Sequence, residues 1–169
     1  MSNAQVVKGW SGVSGAVNCA LHWVTKVASM AAPLFLRVTL ALPFFKSGLT
    51  KWDGFLSLSP AASFLFQEEF KLHVFGQVYH LPAPDLLAFA TGTAEIILPI
   101  LLVLGLATRL SALGLLGMTA VIQLIVPDGW ANFHLPWAAI AIALIALGPG
   151  KLSLDHWVHK FLEHDQTPA

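Results

Sequence analysis

One carboxylate stands inside a long apolar run. Glu95 lies in a segment from about Asp85 to Ala107 that is otherwise almost wholly apolar. An ionisable group at membrane depth costs a few kcal/mol even on lenient insertion scales, so it normally faces neighbouring helices and pairs. Glu95 is therefore either a proton acceptor or cofactor ligand, or else half of a structural ion pair or a neutral hydrogen-bonded acid. The residue type and its position leave both interpretations open.

Two cations in an earlier apolar segment, Arg37 and Lys46, are the candidate partners of Glu95. At 1.5 Å per residue, Glu95 lies about 16 Å from one membrane boundary, Lys46 roughly 20 Å and Arg37 roughly 6 Å. Depth favours Lys46, whereas the long guanidinium fork of Arg37 could extend toward Glu95. The two cations lie about 180° apart around a helix, so they cannot both face one partner. We expect Arg37 to face inward with Ala41, Phe44, Gly48 and Lys51, and Lys46 to be able to snorkel to the outer surface.

Gln123 and His134 fall near the same ends of two later apolar segments, so we expect them to be able to meet. An amide and an imidazole can hold a quinone carbonyl or a proton. The alternative is an interhelical polar contact that fixes packing. We take Glu95 and His134 as candidate catalytic residues. Lys46, Gln123 and Arg37 are candidate polar-core or quinone contacts, and no metal ligand is assigned.

The composition indicates that these residues are positioned by membrane helices. Of 169 residues, 56% are hydrophobic and 11% are charged, whereas a soluble domain carries about a quarter charged residues. A bilayer core needs about 20 apolar residues per helix. We predict an all-α, four-helix transmembrane bundle within residues 33–150. Its spans are about 33–52, 85–107, 108–126 and 133–147. A soluble enzyme is disfavoured because it would expose several long apolar stretches.

The segments outside the spans have their own patterns. Residues 1–32 are predicted to be a cytoplasmic or interfacial segment, with an interfacial helix over about 16–30. In the first outer loop, Ser59-Pro60 is typical of a helix N-cap followed by proline at the first helical position. The following AASFLFQEEF predicts a short amphipathic surface helix. LHVFGQVYHL then predicts a small hairpin or an irregular lid around Gly76. Residues 151–169 are predicted to be a cytoplasmic tail.

The distribution of basic residues predicts the orientation. Cytoplasmic loops carry an excess of Lys and Arg. One side of the predicted bundle has more cations near its span ends: Lys8, Lys26, Arg37, Arg109, Lys151 and Lys160, against Lys46, Lys51 and Lys71 on the other. We therefore expect a multi-pass protein of the bacterial inner membrane with both ends in the cytoplasm. The net charge of zero gives no basic field for nucleic acid.

Four sequence segments also resemble a known family. They are LRVTLALPFFKSGLTKW, GTAEIILPILLVLGLATRLSAL, MTAVIQL and GPGKLSLDH, which lie between about Leu34 and Trp157. Together they resemble the DoxX family of small bacterial membrane proteins. The resemblance implies a four-helix membrane bundle. It also implies a link to redox or oxidative-stress complexes, because the family is named for its similarity to a membrane subunit of thiosulfate:quinone oxidoreductase.

Two classes of function remain open from the sequence. The first is a redox or stress-response membrane subunit that interacts with quinone and works with a redox partner protein. As an enzyme it would be at most a quinone-linked oxidoreductase subunit, because the sequence shows no binding motif for haem, flavin or an iron–sulfur cluster. The second is a non-catalytic anchor or assembly factor, or a protein that handles metals or small solutes. The lipid bilayer is the expected partner in both, and oligomerisation is left open.

Overall fold

The computed structural model describes residues 3–164, with side chains from Gly15 to Leu162. This part of the chain forms six α-helices and two short β-hairpins, with two π-helical turns and a 3₁₀ turn. The helices are α1 (Asn3–Leu49), α2 (Pro60–Phe64), α3 (Pro84–Leu104), α4 (Thr108–Ile125), α5 (Leu135–Leu147) and α6 (Leu154–His164). The hairpins pair β1 (Trp52–Gly54) with β2 (Ser57–Leu58), and β3 (Lys71–Val74) with β4 (Gln77–His80).

Four helical segments are long and apolar enough to cross a membrane, which confirms the predicted fold class. They are Gly15–Leu49, Pro84–Leu104, Thr108–Ile125 and Pro127–Leu147. The last three agree with the predicted spans to within a few residues at most ends. The fourth begins earlier than predicted, since a π-helical turn over Trp130–His134 leads directly into α5.

The first helix differs most from the prediction. The interfacial helix expected over 16–30 is not a separate element, because α1 runs without a break from Asn3 through Pro33 to Leu49. Residues 16–32 contain no glycine or proline, so nothing in that stretch ends a helix. Pro33 removes only one helical hydrogen bond, and neighbouring helices in a bundle tolerate such a loss. Residues 15–32 are exposed along their whole length, so this part of α1 extends beyond the bundle.

The long connection after α1 contains the predicted helix N-cap and a short helical segment. The Ser59 hydroxyl accepts a hydrogen bond from the Ala62 N–H at 3.1 Å, and Pro60 opens α2. A π-helical turn, Leu65–Glu69, continues this helix. The following stretch is a hairpin rather than an irregular lid, and Phe75 and Gly76 make its turn with φ of 49° and 78°. Positive φ at both central residues matches the twist of paired strands. The β1–β2 hairpin was not predicted.

The spans pack as a ring in which α1 and α4 each contact α3 and α5. Every span contributes side chains to one apolar core. Its fully buried members are Leu40, Ala41, Phe44, Leu102, Ala112, Leu115, Ala141 and Leu144. The inward face predicted for α1 is confirmed, since Arg37, Ala41, Phe44 and Gly48 are all buried.

Arg37 closes one end of this core. Its side chain has no exposed surface. It donates from Nε to the Pro33 carbonyl at 3.3 Å, from Nη1 to the Val103 carbonyl at 3.3 Å, and from Nη2 to the Leu152 carbonyl. A Cβ on Gly105 would lie 2.0 Å from Nη1. Arg37 therefore joins α1, the end of α3 and the loop after α5, and only a glycine fits beside it.

Asp155 completes the same polar cluster from α6. Its carboxylate accepts from the N–H groups of Ala107 at 2.8 Å and Thr108 at 2.9 Å. Its own N–H donates to the Gly105 carbonyl at 2.8 Å. The carboxylate also attracts the Arg37 guanidinium electrostatically. Asp155 thus fixes α6 against the α3–α4 turn and supplies acceptors for amides that the first turn of a helix leaves unpaired.

Replacing Arg37 with glutamine should destabilise the protein strongly. A hydrogen bond from a charged donor contributes about 1.5–3 kcal/mol, and glutamine cannot reach three carbonyls at once. We expect the free energy of unfolding to fall by about 3 kcal/mol in Arg37→Gln. Lys46→Gln is the control, since Lys46 is an exposed cation of the same helix and should cost less than about 0.5 kcal/mol. Unfolding in mixed micelles of rising dodecyl sulfate content measures both. Equal stability of the two variants would contradict the role given to Arg37.

Candidate functional site

Glu95 is buried in the middle of α3 and pairs with Lys51. The Lys51 Nζ lies 2.5 Å from Glu95 Oε2, and the two side chains are 11% and 6% exposed. Lys51 Nζ also donates to the Ser47 hydroxyl at 3.0 Å. The prediction that Lys46 or Arg37 pairs with Glu95 is therefore wrong. A carboxylate at membrane depth is expected to have a nearby cation, and Glu95 has one. That cation is Lys51, which the sequence analysis placed at the membrane interface.

The close contact between α1 and α3 explains why Lys51 is the partner. Gly48 lies directly against Glu95, because a Cβ on Gly48 would be 3.0 Å from the Glu95 backbone and Cβ. Lys51 follows in the turn that closes α1, where its N–H donates to the Gly48 carbonyl at 3.1 Å. Its side chain reaches back to Glu95 from there. Lys46 comes two residues before Gly48, roughly 200° around the helix, and is exposed. Direction around the helix, not depth, selects the partner.

A cavity of about 490 Å³ opens beside this ion pair. The four spans form its sides, and the segment after α1 covers it. Its polar contributors are Ser47, Lys51, Thr91 and Glu95. The other lining residues are Pro43, Phe44, Phe66, Phe70, Leu81, Leu87, Gly117, Met118, Val121, Ile122, Ile125, Val126 and Trp137. The volume and the few convergent polar groups are typical of a small-molecule site.

Two phenylalanines bring the outer segment over the cavity. Phe66 is buried and its ring packs edge-on against Phe70 at a centroid distance of 5.0 Å. The segment is held to the end of α1, since the Ser59 N–H donates to the Lys51 carbonyl at 2.9 Å and the Ser59 hydroxyl to the Thr50 carbonyl at 3.1 Å. The predicted N-cap residue therefore also positions the cover next to the ion pair.

Gln123 and His134 meet as expected. The His134 Nδ1 lies 2.6 Å from Gln123 Oε1, and Gln123 Nε2 donates to the Pro127 carbonyl at 3.0 Å. His134 is 3% exposed. Neither residue is among the described residues that line the cavity. The His134 ring instead packs against Trp137, a cavity wall residue, at a centroid distance of 5.6 Å. This geometry is that of an interhelical contact supporting the wall.

The remaining candidates lie apart from the cavity. Arg37 closes the opposite end of the apolar core, and Lys46 is exposed on α1. Among the side chains of residues 15–162, no three of His, Cys, Asp or Glu lie close enough to share a metal ion. The residues that sequence reasoning missed are Lys51, Phe66 and Trp137. For Lys51 a signal existed, because it shares the inward face of α1 with Arg37.

Comparison with known proteins identifies the class to which this bundle belongs. The DoxX family model matches residues 32–128, more than half of the chain. The matched range contains Lys51, Glu95 and every cavity residue except Trp137. The chain is a membrane protein of the DoxX family.

One relative extends the match beyond that range. A protein of Haemophilus influenzae, named only "Uncharacterized protein", is 32% identical, and the match covers 79% of this chain and 87% of the relative. No solved structure matches the chain.

A double-mutant cycle should show that Lys51 and Glu95 are energetically coupled. Lys51→Met and Glu95→Gln each leave a buried polar group without its partner, whereas the double variant removes both charges. We expect the double variant to be more stable than the sum of the single effects by about 2 kcal/mol. A matching cycle of Lys46→Met with Glu95→Gln should be additive to within about 0.5 kcal/mol. Dodecyl sulfate unfolding measures both cycles. Coupling to Lys46 instead of Lys51 would disprove the pairing.

Proposed function

We propose that this protein binds a quinone in the cavity headed by Lys51 and Glu95, as the membrane subunit of a redox or stress-response system. One observation carries the proposal. A mostly apolar cavity inside a membrane bundle has a buried ion pair in its wall. A bundle that needed only to pack would be as stable with apolar residues in place of such a pair.

The donor set fits the chemistry of a quinone ring. A quinone joins a flat ring with carbonyl oxygens to an apolar tail. The Lys51 ammonium can donate to a carbonyl oxygen, and the Glu95 carboxylate can accept a proton from the hydroxyl of the reduced form. Aromatic side chains of Phe44, Phe66 and Trp137 offer faces for the ring. The apolar wall residues of α4 match an isoprenoid tail.

The proposal divides the reaction between two proteins. Reduction of a quinone to a quinol takes two electrons and two protons. This chain would bind the ring and exchange protons through Glu95, and a redox partner protein would deliver or remove the electrons. The distribution of Lys and Arg supports a bacterial inner membrane location with both chain ends in the cytoplasm. The cavity would then lie in the outer half of the bilayer.

Filling the cavity should abolish quinone binding without unfolding the protein. Gly117 lines the cavity, and a Cβ there would meet no atom within 4 Å. Gly117→Phe should therefore fold, occupy part of the space and weaken binding at least about tenfold, as loss of one well-placed contact does. Gly15→Phe is the matched control, since Gly15 is also helical and open but lies far along α1. Quenching of tryptophan fluorescence by a short-chain ubiquinone in detergent measures affinity. Unchanged quenching in Gly117→Phe would contradict the site.

Removing the ion pair as a unit should separate binding from stability. The Lys51→Met/Glu95→Gln variant keeps similar side-chain volumes and leaves no unpaired charge, so we expect near wild-type stability. Its quinone affinity should fall at least about tenfold, because a hydrogen bond from a charged group contributes about 1.5–3 kcal/mol. The same quenching assay and a thermal unfolding midpoint give the two quantities. Wild-type affinity in this variant would favour a non-catalytic anchor or assembly role.

A further inference from the structure

A second concave site lies at the opposite end of the bundle from the quinone cavity. A pocket of about 560 Å³ opens where the α3–α4 turn, the loop after α5 and α6 meet. Four basic side chains line it: Arg109, Lys151, His156 and His159. The function proposed above does not use any of them.

The acidic residue in this pocket offsets only one of its two full positive charges, those of Arg109 and Lys151. Asp155 also lines the pocket. Both of its carboxylate oxygens already accept hydrogen bonds, from the N–H groups of Ala107 and Thr108. The groups left to meet a ligand are therefore the donors of Arg109 and Lys151.

Backbone geometry places the Arg109 guanidinium in the pocket. Gly148 ends α5 with φ of +79°, a conformation that residues with a Cβ rarely adopt. A Cβ at Gly148 would lie 3.3 Å from Arg109 Nη2. The absence of a side chain at Gly148 thus lets Arg109 extend from α4 across the end of α5, toward the loop that carries Lys151.

The face of α6 opposite the pocket is apolar. Five large apolar residues of α6 recur at three- and four-residue spacing and are 44–71% exposed: Leu154, Trp157, Val158, Phe161 and Leu162. Asp155 fixes the helix by its contacts with the α3–α4 turn. The Ser153 hydroxyl adds to this by donating to the Gly150 carbonyl at 2.7 Å and accepting from the His156 N–H at 3.2 Å. The apolar face is therefore held away from the bundle.

The bilayer is the apolar medium at this level of the molecule. The fourth span ends at Leu147, and α6 begins at Leu154. A helix with one apolar and one polar face at the end of a span lies in the plane of the membrane interface. Its apolar face then contacts acyl chains, and the basic pocket opens at the depth of lipid headgroups.

We propose that this pocket binds the headgroup of an anionic phospholipid from the membrane in which the apolar face of α6 lies. Charge complementarity selects an anionic headgroup, because basic pockets at the membrane surface bind such lipids. The apolar face of α6 places the pocket at the membrane surface, which favours a lipid over a free phosphate ion. This site goes beyond the quinone proposal and does not rest on it.

Lipid exchange on the full-length protein tests the site. We would purify the protein in detergent and add equal amounts of phosphatidylglycerol and phosphatidylcholine with the same acyl chains. Native mass spectrometry then gives the ratio of the two lipid adducts. We expect phosphatidylglycerol to be enriched about tenfold or more in the wild type. Arg109→Gln and Lys151→Gln should each lower the enrichment about fivefold, as expected for one cation at a lipid surface.

Matched variants distinguish this pocket from diffuse surface charge and from a free-anion site. Lys26→Gln removes an exposed lysine of α1 outside the pocket and should change the enrichment less than about twofold. Phe161→Ser should reduce retention of both lipids. Inorganic phosphate at millimolar concentration should not displace phosphatidylglycerol. The proposal fails if the wild type shows no enrichment, if Lys26→Gln matches Lys151→Gln, or if phosphate displaces the lipid.

Discussion

The contact between α1 and α3, held by a cation near each end, is the constraint on which the rest of the bundle depends. Arg37 donates to the Val103 carbonyl at one end, and Lys51 pairs with Glu95 at the other. A charge inside an apolar bundle is tolerated only where its partners are close and correctly oriented. The two contacts therefore fix both the register and the rotation of α1 against α3. Gly48 permits the close approach that this register demands.

This register also creates the cavity. Gly48 contacts Glu95 in the middle of α3, so α1 ends about halfway along its neighbour. Beyond Leu49 no membrane-spanning helix of the described residues fills the space between α3 and α4, and the segment carrying Phe66 and Phe70 covers it. The Arg37 end is instead closed by backbone carbonyls and by Asp155. One end of the bundle is closed by a hydrogen-bonded polar cluster, and the other end holds a mostly apolar cavity with an ion pair in its wall.

The sequence was sufficient for features set by local chemistry. The four spans follow from hydropathy, the Ser59 cap from residue type, and the inward rotation of Arg37 from helical periodicity. For the segment around Gly76, the sequence left a hairpin and an irregular lid open. The meeting of Gln123 and His134 was also predictable, because each lies near the same end of its span.

The predictions that were wrong concern features that depend on how the helices are placed relative to one another. Counting depth along each span assumed that all spans begin at one level. This favoured Lys46 over Arg37 and left Lys51 at the interface. α1 is continuous through Pro33 because residues 16–32 are helical as well. Predicting each membrane span separately divided this helix into two elements. The cavity has no sequence signature, because its apolar wall residues are of the same types as the core residues. They differ only in that part of their surface faces the cavity and is not packed against other side chains.

Photolabelling with an azido-quinone would test most directly the claim that this cavity is a quinone site. An apolar groove on the outside of α1 and α3, lined by Val38, Phe45 and Val103 among others, supplies an internal control because it has no polar group. We predict that the label is found on peptides containing Phe66, Phe70 or Met118, and that excess unlabelled quinone suppresses it. Labelling confined to the Val38–Phe45 groove, or labelling that excess quinone does not suppress, would show partition into apolar surface and contradict the claim.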